Sequence, residues 1–191
     1  MLTIDDLIKN PKKLFYFWGH TRKDENTIDK SCLSNWYPSK FTIGNKSYCC
    51  VEQYMMSQKA KLFKDTERYE EIMKETDPKK IKWFGRMVKN FDYEVWEKSK
   101  IDIVRTGCKA KFDQNPELKN YLISLKKLVI VEASPVDRIW GISLRETDPR
   151  AANPEEWCGE NLLGFILTDI KDEYLKELKE RKKKEHNEDA K

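Results

Sequence analysis

Glu52 and Lys59 stand seven residues apart in the run from Tyr48 to Ala60, a carboxylate and an amine within one helix-forming segment. These are side-chain types that can move a proton or attack an electrophilic carbon. At 100° per residue, a seven-residue step leaves them about 20° apart on a helix. The same arc holds Val51, Met55, Met56, Leu62 and Phe63, whereas Gln53, Ser57, Lys61 and Lys64 fall on the other side. Charges inside an apolar stripe cost free energy unless they are paired or used. Lys59 leans back toward Glu52, because helical side chains tilt toward the N-terminus. The gap of about 10 Å between their Cα atoms could hold part of a small substrate. The helix wheel leaves two readings open: a structural ion pair or a pair snorkelling to the rim of the stripe, and a catalytic pair.

Other segments carry weaker signals. Asp137-Arg138-Ile139-Trp140-Gly141-Ile142 combines an acid, a ring able to stack on a base and a glycine that permits close backbone approach. A core Trp beside a turn glycine is the competing reading. Asn161 is placed to cap the last helix, whose first amides could receive a phosphate. Arg86, after Gly85, could clamp one. Nucleotide-binding glycine motifs and the helical zinc motif are absent from the sequence. The two histidines, His20 and His186, are too far apart to suggest a triad, and the five cysteines lack metal-ligand spacing. Carboxylates and lysines therefore remain as the candidate chemistry, with neither metal nor cofactor expected.

These residues need elements to position them. Leu14 to Trp18 reads as a buried strand, and Phe41 to Tyr48 as a hairpin turning at Gly44-Asn45. The Glu52 helix starts near Cys50. Asp77-Pro78 opens a helix expected to end near Asn90, a longer one runs from Tyr93 to Phe112, and Asn115-Pro116 opens another. Leu128 to Glu132 is strand-like, with Ile139 to Ile142 as its expected partner. The last helix is expected over Leu162 to Leu178. The spacing predicts an α+β fold: an N-terminal segment 1–13, one domain over 14–178 with helices around a small sheet, and a frayed, charged tail over 179–191.

The chain has 191 residues, 37 % of them charged and 39 % hydrophobic, with a formal net charge of +4. That describes one soluble domain with a charged surface and a mild preference for anions, without the concentrated basic signature of general nucleic-acid binding. The first residues lack a signal-peptide pattern, and no apolar run approaches the roughly 20 residues of a membrane span. A reduced, intracellular (cytoplasmic) setting is expected.

Ordered blocks then converge. Leu33-Ser34-Asn35, Val51 to Met56 with Gln58-Lys59-Ala60, and Phe84 to Val88 are followed by Trp96, Lys111-Phe112 and Val131 to Pro135. Asp137 to Ile142 and Trp157-x-Gly159-x-Asn161-Leu162-Leu163-Gly164 complete the series. Over about residues 14 to 178 the chain resembles the NADAR family of YbiA-like N-glycosidases. The resemblance implies an α+β fold and cleavage of N-glycosidic bonds to ribose. It implies Glu52 as acid/base and Lys59 as the amine that attacks the anomeric carbon of the opened ribose, giving a Schiff base. Trp96, Asp137 and Trp140 match other site positions, with Gly141 beside them, and Asn35, Arg86 and Asn161 match binding or positioning groups. The implied substrate is an ADP-ribosylated guanine, free or in a nucleic acid, or else a ribosylamino-pyrimidine phosphate of riboflavin synthesis. A module that binds NAD or ADP-ribose without cleavage is a third reading. Ser143 stands where the family often has Gly, Lys171 where it often has Arg, and a Thr-Gly expected near Ser124-Leu125 is missing. A desolvated Lys59 would supply the neutral amine, and a desolvated Glu52 would hold the proton.

Overall fold

A computed structural model describes residues 1–189 of the chain, and its architecture is α+β. The chain forms two compact units, Trp18–Lys119 and the terminal segments Met1–Phe17 with Asn120–Lys191.

In the terminal unit, β1 (Leu14–Phe17) pairs in parallel with β4 (Val129–Glu132), Leu14 opposite Val129 and Phe17 opposite Glu132. Parallel strands need a crossover, and here the whole of the other unit lies between them in sequence. Val129, Ile130 and Val131 are buried, as the β-branched run requires. The expected pairing of β4 with Ile139–Ile142 is not found. That stretch is irregular, and Ile142 alone donates its amide to Glu132 O, at 2.9 Å. The strand partner is instead β1, a long-range pairing that local pattern cannot reveal. A short N-terminal helix, α1 (Ile4–Lys9), was not expected. A Thr3–Asp6 capping box starts it and Leu7 is its buried residue. The last helix, α7, packs on β4 and spans Leu162–Asp189, continuing past the expected end at Leu178. Its extension is rich in strong helix formers, with Glu177 and Arg181, and Glu180 and Lys184, at the supportive i,i+4 spacing. Of the tail expected to fray, residues 190 and 191 lie outside the described residues.

In the central unit, β2 (Phe41–Ile43) and β3 (Lys46–Tyr48) form the expected hairpin, with Gly44 at φ +61° in the turn. The described residues thus form two two-stranded ladders rather than one sheet. α2 (Val51–Leu62) packs against α3 (Thr66–Lys74), α4 (Pro78–Arg86) and α5 (Tyr93–Gln114). α6 (Pro116–Ser124) follows. α3 carries only one buried residue, Ile72, so it leaves almost no hydrophobic period to read. Asp65 explains both its start and the early end of α4. One carboxylate oxygen caps Arg68 N at 3.1 Å and the other accepts from Lys89 N at 2.8 Å, pulling the chain out of helix before Asn90.

α2 is buried nearly all round over its first two turns. Gln53 and Ser57, assigned to the polar side by the wheel, are buried with the rest. Gln53 accepts from Cys49 N (2.8 Å) and donates to Ile72 O (3.1 Å) and Glu75 O (2.8 Å) at the end of α3. Ser57 Oγ donates back to Tyr54 O at 2.7 Å. Each polar group is satisfied, so burial is tolerable.

Candidate active site

The central unit brings together Asn35, Glu52, Lys59, Arg86 and Trp96 from the sequence candidates. Asp137, Trp140, Gly141 and Asn161 belong to the terminal unit.

The first turn of α2 sets Glu52. Its amide is one of the four donors a helix start leaves without an intrahelical partner, and it donates to Asn35 O at 2.9 Å. Asn35 therefore acts through its main chain here, and its own side chain is buried, with Cys108 Sγ 3.6 Å from Oδ1. The Glu52 side chain is 3 % exposed.

Lys59, two turns on, is half-buried. Its Nζ donates to Gly85 O at 2.8 Å. That carbonyl is in the last turn of α4, where helix carbonyls lack intrahelical donors. The Lys59 amine also lies 4.3 Å from the centre of the Phe91 ring and 5.6 Å from that of Trp96. Phe91 in turn makes an edge contact with Phe63, ring centres 5.2 Å apart. Burial lowers the Lys59 pKa from its ordinary value, and the positive charge of Arg86 lowers it further. The aromatic faces favour an ammonium and act against that lowering. A lysine with this shift presents more neutral amine near physiological pH than a solvated one.

Gly85 makes this approach possible. A Cβ built there would lie 1.9 Å from Met56 Sδ and 2.7 Å from Met56 Cγ, so only glycine lets α4 close onto α2. Gly107 does the same for α5, where a Cβ would lie 2.7 Å from the Tyr54 ring. The polar contact of Lys59 was not visible in the sequence, since a main-chain carbonyl has no residue signature. Phe91 was missed because it sits in a loop after Asn90, outside any periodic pattern, and is 45 % exposed. Arg86 is exposed at the end of α4, and Trp96 is buried in the first turn of α5.

In the terminal unit, the Asp137 carboxylate accepts from Ile139 N (3.0 Å) and Trp140 N (2.8 Å), an Asx turn that organises its own loop. Trp140 is half-buried. Gly141 is required by close approach: a Cβ would meet Glu132 O at 2.7 Å. Asn161 stands at the N-cap position of α7, its main-chain O accepting from Phe165 N (3.0 Å), but its side chain is turned to β4. It adopts φ +54°, its Oδ1 accepts from Glu132 N (2.9 Å) and its Nδ2 donates to Ile130 O (3.1 Å), latching the helix start to β4. The α7 amides are also engaged: Leu162 N donates to Ile139 O (3.2 Å) and Leu163 N to Trp140 O (3.1 Å). Backbone carbonyls thus occupy donors expected from the sequence to be open to a phosphate.

Taken by itself, the central unit offers an amine of lowered pKa on a buried helix that also carries a buried carboxylate, side-chain types that can attack an electrophilic carbon and move a proton. Similarity to known proteins covers the stretch of chain that holds these residues. The NADAR domain model matches residues 16–175. The N-glycosidase R617 of Acanthamoeba polyphaga mimivirus is 42 % identical over 168 residues, covering 84 % of this chain and 96 % of that protein. Protein irg-1 of Caenorhabditis elegans is 35 % identical over 163 residues, covering 76 % of each. The NMR structure of Escherichia coli YbiA superposes with a TM-score of 0.67 at 23 % identity, over 89 % of this chain and 90 % of that one, a likeness of fold. With a family match across both units and a relative this similar over nearly its full length, the chain belongs to the NADAR family.

Proposed function

We propose that the protein is an N-glycosidase that releases ADP-ribose from ADP-ribosylated guanine, with Lys59 as nucleophile and Glu52 as acid/base. The observation that carries the reading is the environment of Lys59: an amine held by Gly85 O, flanked by two rings and depressed in pKa, on the helix that buries Glu52. The N-glycosidase name of the viral relative supports the reaction class.

The chemistry balances as a hydrolysis. The ribose ring opens as the C1′–O4′ bond breaks, O4′ takes the proton of Glu52, and C1′ is left doubly bonded to the base nitrogen. Neutral Lys59 Nζ adds to C1′ and passes a proton to the Glu52 carboxylate. The C1′–base bond then breaks and the base leaves with a proton supplied by Glu52, leaving a Schiff base between Nζ and C1′. Water, deprotonated by Glu52, adds to C1′. The C1′–Nζ bond breaks, the amine is regenerated, and the sugar closes with C1′–OH in place of C1′–N. Arg86 is a basic group near Lys59 suited to the diphosphate, and Trp96 to a sugar or base face.

Incubation with ADP-ribosyl-guanosine and, separately, with a ribosylamino-pyrimidine phosphate of riboflavin synthesis, each with borohydride, tests the proposal. The expected outcome is guanosine release and reductive trapping of ADP-ribose on Lys59. Glu52→Gln and Lys59→Ala should fold normally and lose at least about a hundredfold in turnover, the scale of a missing proton-transfer group. Turnover of the pyrimidine phosphate alone would replace the substrate, and binding of ADP-ribose with no release of base would replace catalysis by recognition.

A further inference from the structure

Seven lysines line one groove of the terminal unit, a groove to which neither Glu52 nor Lys59 contributes. Lys12 and Lys13 precede β1, Lys126 and Lys127 form the turn before β4, and Lys171, Lys176 and Lys179 come from α7. The groove encloses about 610 Å³ and has Leu128, Val129 and Leu175 among its apolar walls. Asp172 is the acidic residue that lines it, and this carboxylate lies 3.3 Å from Lys171 Nζ. Lys171 is 1 % exposed and also donates to Leu128 O. The other six lysines are exposed. The unit as a whole carries about as many carboxylates as basic side chains, so the lysines are segregated rather than part of a generally basic surface.

Lysines gathered along one groove repel one another; at Lys171 the charge of Lys12 adds to a pKa lowering that comes chiefly from burial and that Asp172 opposes. A polyanion would relieve that repulsion. From Thr168 to Lys179 the α7 wall is about 16 Å long. Phosphates succeed one another every 3.4 Å or so along one strand of a duplex, so about five steps fit. Among the described residues no arginine lines the groove. Ammonium groups take phosphates from any direction, whereas carboxylate recognition favours the bidentate guanidinium fork. A concave wall with apolar patches suits sugar faces better than a flat lipid surface. We infer that this groove docks the phosphodiester backbone of a nucleic-acid strand, without base specificity. The choice of nucleic acid among polyanions rests on the nucleobase reading above.

The test uses the full chain and a fluorescent 12-nucleotide single strand, with anisotropy measured from 50 to 200 mM salt. The inference expects binding with a salt slope of about −2 to −3, the value for three or four neutralised phosphates on a single strand. The double variant Lys127→Glu/Lys176→Glu should weaken it at least tenfold at 50 mM salt and flatten the slope. The same variant should cleave ADP-ribosyl-guanosine normally but lose efficiency on a modified oligonucleotide through KM. Unchanged affinity in the variant overturns the inference. So does equal displacement by poly-glutamate at matched charge, or retention of the protein by phosphatidylserine vesicles with no oligonucleotide binding. If the variant loses oligonucleotide binding while wild-type protein cleaves neither substrate, the groove stands and the glycosidase reading falls.

Discussion

At the scale of residues, Glu52 and Lys59 are legible in the sequence and their surroundings are not. Two charges on one arc of a helix raised the right question because burying them needs a reason. What answers it for Lys59 is a carbonyl from α4, a ring from a loop and a ring from α5, none of which a helix wheel contains. The pKa shift gives a signed prediction. In the proposed mechanism the neutral amine attacks, so kcat should rise with pH and reach half its plateau below 10.5, the ordinary lysine value. Arg86→Gln removes the second cause of the lowering, so the rise should move to higher pH. Arg86 is exposed, so that displacement should shrink at high salt. A pH–rate profile of the variant that coincides with wild type at low salt would show that Arg86 serves the substrate and not Lys59. A change confined to KM would say the same.

At the scale of elements, caps and turns were well encoded. Asp77 before Pro78, Asp92 before Tyr93 and Gly44 in the hairpin behave as local chemistry dictates. α2 was misread because its wheel assumed one dry face. In fact three helices surround it, and Gln53 and Ser57 are buried because the backbone gives them partners. The glycines that allow this packing yield a prediction. Gly85→Ala gains up to about 1 kcal/mol of helix propensity. It also drives a methyl into Met56, including Cγ close to the Met56 backbone, and overpacking of this kind typically costs about 1–3 kcal/mol. The net expectation is a destabilised protein in urea unfolding, with kcat reduced because the carbonyl that holds Lys59 is displaced. Met56→Ala in the same chain makes room for the methyl and should restore much of the lost kcat, though the smaller side chain does not restore all of the stability. Rescue of that kind is specific to steric conflict, and its absence would remove Gly85 from the site's support.

At the scale of the molecule, net charge misled where packing decides. A balance of +4 gave no hint that one groove gathers seven lysines, because carboxylates elsewhere cancel them in the sum. Nor did it reveal Lys111, which is 1 % exposed in the central unit, with Nζ donating to Ser34 O at 2.9 Å and lying 5.4 Å from the Tyr37 ring centre. Burial lowers its pKa, only partly opposed by the neighbouring thiols of Cys108, Cys32 and Cys50. The unfolded chain therefore binds more protons at this position than the folded one, between the lowered pKa and 10.5. Stability contributed by Lys111 must rise with pH across that window. The thiol of Cys32, pushed up to about 11 by burial, works the other way, since the folded state then keeps a proton that the unfolded state releases. The two contributions overlap in a plain pH–stability curve, whereas a difference curve reads Lys111 together with its own effect on the Cys32 thiol, which has the same sign. Lys111→Met keeps the length and apolar stem but removes the titration. Its absolute stability combines relief of a buried amine with loss of a donor to Ser34 O, a group whose orphaning costs about 1–3 kcal/mol. The slope is free of that ambiguity. Wild type minus Lys111→Met, measured by urea unfolding from pH 7 to 10, should increase with pH. A flat difference would mean that Lys111 is charged as readily in the folded protein as in the unfolded chain.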